Sequence, residues 1–149
     1  MAGLFPVFDV PATLAEDVER QEKYAPGPNW DVEAGDFVTD GTGQALYGSG
    51  YDAWVLWCTK VILTQRWAHL GYSADMGIEA EQAFQAPDRA AAESSFERTI
   101  TEALLADPMG RTVQVRDFSF RWEADSLWIE CKVFGTDGST TDVGARLEL

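Results

Sequence analysis

The residues able to do chemistry in this chain of 149 residues are mostly carboxylates, with 25 Asp and Glu against 11 Lys and Arg. Two carboxylates facing one cleft make a glycosidase: one protonates the leaving oxygen while the other activates water or attacks the sugar. Glu79 with Glu81, and Asp137 with Asp142, are close enough in sequence to be considered. In so acidic a chain such pairs arise by chance, and solvated surface charge is the better reading. His69 is the one histidine. It stands near the expected end of a Trp-rich helix with no Ser or Cys nucleophile motif nearby, which favours a structural role. A single histidine builds no His-rich metal site, and the Gly-rich patterns that cradle phosphates are missing. Cys58 and Cys131 lie far apart without CxxC spacing and read as reduced, buried thiols. No catalytic, cofactor-binding or metal-binding residue is assigned.

The formal net charge of −14 sets nucleic acid and anionic lipid surfaces at a disadvantage as partners. No apolar run reaches the roughly 18–20 residues of a spanning helix; Trp54-Val55-Leu56-Trp57-Cys58 is stopped by Thr59 and Lys60. Met1-Ala2-Gly3-Leu4-Phe5-Pro6 has neither a basic start nor a cleavage site, so a secretory signal is not expected. Hydrophobic residues make up 46%, enough for one core, and the length suits one domain. Six Trp and eight Phe exceed what a small core needs, and surplus aromatics often mark contact surfaces.

The positioning elements can be read in order. Residues 1–34 read as an arm, punctuated by Pro6, Pro11, Pro26 and Pro28, with one short helical candidate from Thr13 to Lys23. Residues 35–149 read as a single domain. Asp36–Thr39 and Gln44–Tyr47 flank Asp40-Gly41-Thr42-Gly43, a hairpin signal. Tyr51–His69 reads as a long helix, stopped by Gly71, with Trp54, Cys58, Val61 and Ile62 on one face and Trp57, Leu63 and Trp67 on others. Asp88 caps a second helix with the stripe Phe96, Ile100, Ala103 and Leu104, and Asp107-Pro108 ends it. After Arg111 comes an antiparallel meander: Thr112–Trp122 with a bulge near Arg116-Asp117, a strand through Leu127, Ile129, Cys131 and Val133, and a last strand through Val143, Ala145, Leu147 and Leu149. The fold class is α+β: arm and hairpin, then two helices packed on a three-strand sheet.

Two stretches stand out. Thr64, Arg66, Trp67, Tyr72, Ser73, Asp75, Gly77 and Glu79 surround the helix exit, where Asp75 can accept hydrogen bonds from Arg66 or turn amides. Leu104-Leu105-Ala106-Asp107-Pro108-Met109-Gly110-Arg111 is a helix stop leading straight into a strand. In order with Gly35–Gly41, Val115–Phe120 and Asp125-Ser126-Leu127, these segments resemble the XkdS-type baseplate proteins of contractile phage tails. Those proteins are relatives of the gene-twenty-five-like wedge proteins and of TssE in type VI secretion, and the resemblance covers roughly residues 35–135.

The resemblance implies a structural, non-enzymatic wedge protein with a fold similar to the sheath subunit's joining domain. It would be present in multiple copies around a six-fold particle assembled in the bacterial cytoplasm. It would touch other wedge subunits, tube-proximal baseplate proteins and the tail sheath protein, and give the first sheath ring its attachment. No cofactor, nucleic acid or membrane enters. The wider family carries a Glu-Pro-Arg motif at the helix-to-strand corner; here Asp107 and Pro108 match its first two positions, Met109 stands where the arginine would be, and Arg111 follows two residues later. Asp107, Pro108 and Arg111 are thereby expected to contact neighbouring subunits. Val143, Ala145 and Leu147 carry a last strand that can pair with a neighbour's strand, although Arg146 and Glu148 also suit a mere closing edge. The alternatives are a small acidic lysozyme-like glycosidase and an acidic adaptor for a basic partner.

Overall fold

The computed structural model describes residues 24–149, so the helical candidate at Thr13–Lys23 lies outside the described residues. Four two-residue strands open the described part: β1 (Gly27–Pro28) pairs with β4 (Tyr47–Gly48), and β2 (Trp30–Asp31) with β3 (Asp36–Phe37), both antiparallel. Trp30 and Phe37 face each other edge-on at 4.8 Å across the second pair. The expected hairpin turn is present, with Thr39 bridged to Ala45 and the Asp40 amide donating to the Gln44 carbonyl at 2.8 Å. The Thr42 hydroxyl, followed by the Gln44 and Thr42 amides, holds the Asp40 carboxyl below its usual range.

Helix α1 runs from Gly50 to Leu63. Ser49 starts it through a capping box: its hydroxyl accepts from the Asp52 amide, and the Asp52 carboxylate accepts from the Ser49 amide. Trp54, Cys58, Val61 and Ile62 point into the core as their spacing predicts. The helix stops six residues short of the expected His69, because Thr64 turns extended at the C-cap and Trp67 takes φ 65°. Arg66, Trp67 and His69 therefore lie in a loop. A short α2 (Ala80–Phe84), not foreseen from sequence, leads into α3 (Arg89–Leu105), capped by the Asp88 carboxylate on the Ala91 amide at 2.8 Å.

Strands β5 (Thr112–Trp122), β6 (Ser126–Gly135) and β7 (Thr140–Glu148) form an antiparallel sheet in that order. The phase slip read in β5 is a register shift between Arg116 and Ser119, with Asp117 at φ 59°. Helix α1 packs under β7 and α3 under β5, so the core fills the space between two helices and one sheet face. Trp54, Phe96, Ile100, Leu104, Leu127, Ile129 and Val133 are fully buried there. The Trp54 indole N–H donates to the Thr112 hydroxyl at 3.1 Å, satisfying the polar edge of the largest core residue. The α+β architecture is the one expected.

Cys58 and Cys131 are free and buried in this core. Burial pushes both thiols up to about 12. An unfolded thiol has a pKa near 8.5, so at pH 8.5 about half of it is thiolate, the reactive form. Iodoacetamide at that pH is expected to label both cysteines in urea and neither in the native protein. Native labelling at the unfolded rate would contradict this core.

Candidate functional site

The helix-to-strand corner is built by proline. Pro108 disfavours helical geometry at Asp107, and α3 closes with the Ala106 amide donating to the Glu102 carbonyl at 3.1 Å. The Asp107 carbonyl then accepts from the Gly110 amide at 2.8 Å, a turn completed by Gly110 at φ 63°. Inside it the Asp107 carboxylate takes four donors. Its Oδ1 accepts from the Met109 amide and Arg111 Nη2, both at 3.1 Å; its Oδ2 accepts from the Arg111 amide at 3.0 Å and Arg111 Nε at 2.8 Å. The side chains are 0% and 7% exposed, and the guanidinium lies 5.5 Å from the Trp57 ring centroid. Behind it, the Arg111 carbonyl accepts from the Tyr24 hydroxyl at 3.1 Å and the Thr136 amide at 2.8 Å. Asp107 and Arg111 thus face each other and not the solvent, while Pro108, Met109 and Gly110 form the exposed crest of the corner.

The second feature is the β7 edge. Among the described residues β7 has one neighbour, β6, and its pairing runs from Ser126↔Glu148 to Phe134↔Thr140 without a shift. The flanking bonds fix which backbone groups face outward: Gly135 N–H donates to the Ser139 carbonyl at 2.8 Å and Leu149 N–H to the Asp125 carbonyl at 3.0 Å. Antiparallel ladders alternate with period two, so the backbone of residues 141, 143, 145 and 147 is turned to β6. Asp142, Gly144 and Arg146 then aim their N–H and C=O groups away from the sheet. Val143 and Ala145 are buried and Leu147 half-buried, so their side chains hold the strand on the core. The outward backbone belongs to the residues between them. The other edge, β5, is interrupted by two register shifts, a common way of blunting an edge.

The third feature is residues 64–79. Asp75 is exposed, and Arg66 binds elsewhere: its Nη1 pairs with Glu79 Oε1 at 3.0 Å and its Nε donates to the Gly77 carbonyl at 3.1 Å. Arg66 N–H donates to the Ile78 carbonyl at 2.8 Å and Ile78 N–H to the Thr64 carbonyl at 2.9 Å. The Glu79 amide donates to the buried Thr99 hydroxyl at 2.9 Å, which docks this strap on α3. Ser73 and Tyr72 lie in the exposed stretch beyond.

Glu79 is held by Arg66, and a groove of about 510 Å³ beside α1 is lined by Trp30, Phe37, Leu56, Leu63 and Tyr72, with Lys60 the charged residue among its described walls. Among the described residues no His, Cys, Asp and Glu cluster is arranged to hold a metal ion, and no helix is long and apolar enough to cross a membrane. Sequence reasoning missed the Asp107–Arg111 pair, although an acid four residues before a base across Pro and Gly is its signature. It also missed Tyr24, whose role depends on contacts 87 and 112 residues away.

No curated protein matches the chain. The family model for the contractile injection system sheath initiator matches residues 28–138, from β1 through the β6–β7 turn. The matched span takes in both the corner and the strap, and on that ground the chain belongs to the contractile injection system sheath initiator family, with a structural part in starting a sheath.

Proposed function

We propose that this protein is a non-enzymatic wedge component of the baseplate, seated around the tail tube, and that β7 offers its outer edge to a strand of the first sheath ring. The observation that carries this reading is the unshifted β7 register, which leaves the Asp142, Gly144 and Arg146 backbone groups directed outward on a regular strand. Added strands bind by extending such a ladder, taking affinity from main-chain hydrogen bonds. The corner contributes differently from the pattern the family resemblance implies. Its arginine is an internal brace, and contact with wedge neighbours falls to Pro108 and Met109 on the crest.

Multiple copies around a six-fold particle, assembly in the bacterial cytoplasm, and contacts with other wedge subunits and tube-proximal proteins complete the proposal. Electron cryomicroscopy of particles purified from producing cells tests it. The expected result is density for this chain between the tube and the first sheath ring, with β7 paired to a sheath strand. Particles with complete sheaths that lack the chain would sink the proposal.

A further inference from the structure

Trp67 to Asp75 is a run of nine residues, every one exposed. Its neck is rigid: the Arg66 bonds to Gly77, Ile78 and Glu79 close it. Gly77 completes the closure at φ 96°, where an added Cβ would stand 2.5 Å from the Thr64 carbonyl oxygen. Beyond the neck the chain departs from ordinary turn chemistry. Turns favour Gly, Asn and Asp at positive φ, yet here the residue at φ 65° is Trp67, a bulky side chain in an unfavourable conformation. The indole is thrown outward, 61% exposed, with the Arg66 guanidinium 5.8 Å from its centroid. Leu70 at the tip is fully exposed. The exposed Tyr72 ring is steadied by His69 edge-on at 5.2 Å and by the Lys60 ammonium at 5.1 Å.

None of these three apolar side chains joins the core. From Trp67 to Ala74 the run carries no Asp, Glu, Lys or Arg, on a chain whose net charge is −14. An apolar point without carboxylates on an acidic body does not suit a basic partner surface, which would be steered to the carboxylates instead, nor an acidic one, which the body would repel. Exposed Trp, Tyr and Leu on a pre-organised support suit an apolar cleft, because little ordering cost remains at docking.

We propose that residues 67–75 form a docking prong that seats Leu70, shouldered by Trp67 and Tyr72, in an uncharged apolar cleft of a neighbouring protein subunit in the particle. The proposal rests on the baseplate reading, and the experiment separates the two. The full chain carries a photoreactive benzoylphenylalanine at position 70 for crosslinking in purified particles; Leu70→Asp and Trp67→Ser are scored for sheathed-particle yield. The chain entering particles at all answers for the baseplate reading. The prong predicts one adduct, on apolar residues of a neighbouring subunit, and a loss of at least about ten-fold in sheathed particles from Leu70→Asp, with circular dichroism and melting unchanged. If Leu70→Asp fails to fold, Leu70→Ala gives the yield in its place. Normal yields from the variants, no adduct, or an adduct on a charged surface overturns the proposal. So does flotation of the free protein with phosphatidylcholine vesicles that depends on Leu70, which would assign the tip to lipid.

Discussion

Replacing Asp107 with alanine is expected to destabilise the protein by about 3–5 kcal/mol, because it leaves a buried guanidinium without its partner. The carboxylate accepts two bonds from the Arg111 side chain and two from the Met109 and Arg111 amides, so one substitution orphans four donors. At this chain length each kcal/mol moves the melting temperature by about 2–4 °C, so a fall of about 10 °C is expected. Asp107→Asn is expected to cost less, since its one carbonyl oxygen can still accept from one turn amide and one guanidinium nitrogen, although its NH2 then faces the other two donors. The double variant Asp107→Ala with Arg111→Met is expected to lose less than the sum of its singles, because no charge is then left buried. Thermal melts of the wild type, Asp107→Ala, Asp107→Asn, Arg111→Met and the double variant measure this, and a shift below about 2 °C for Asp107→Ala would refute the brace. An interface test at this corner should therefore spare Arg111. Pro108→Ala with Met109→Asp changes the crest, whereas replacing Arg111 mixes assembly with folding.

The corner also shows what a sequence carries and what it hides. Pro108 stops a helix by local sterics, so α3 and its end are readable from a few neighbouring residues. The same holds for the Asp88 cap, the Phe96–Ile100–Leu104 stripe and the β5 bulge, where a change of alternation phase signals a register shift. The end of α1 was not readable in that way. Apolar residues continue through Trp67 to Leu70, but the backbone leaves the helix at Thr64 because Arg66 and Gly77 close a strap against Ile78, Glu79 and Thr99. Those partners lie 11 or more residues away, outside any helical window. Asp75 was an expected partner for Arg66 by proximity in sequence, and Glu79 takes that place because the strap doubles back on itself. The β7 edge was half readable: alternation identified Val143, Ala145 and Leu147 as one face, but only the ladder phase shows that the outward backbone belongs to Asp142, Gly144 and Arg146.

That phase yields the sharpest functional prediction. Proline lacks an N–H, and on an edge strand it is tolerated where that N–H faced away from the sheet. Gly144→Pro and Arg146→Pro remove outward donors and leave the β6–β7 ladder intact, so each isolated protein should fold with its sheet spectrum preserved. Particle assembly should behave otherwise. Both variants are expected to enter baseplates and to yield few or no sheathed particles, because an added strand would meet a missing donor and a pyrrolidine ring. Ala145→Pro is the informative opposite: it breaks a bond to β6 at a buried position and is expected to destabilise the protein itself. The comparison separates an edge that merely closes the sheet from one that nucleates another. If Gly144→Pro and Arg146→Pro both give sheaths of normal number and length, sheath attachment does not run through β7. The crest at Pro108 and Met109 would then be the surface to which the first ring must be traced.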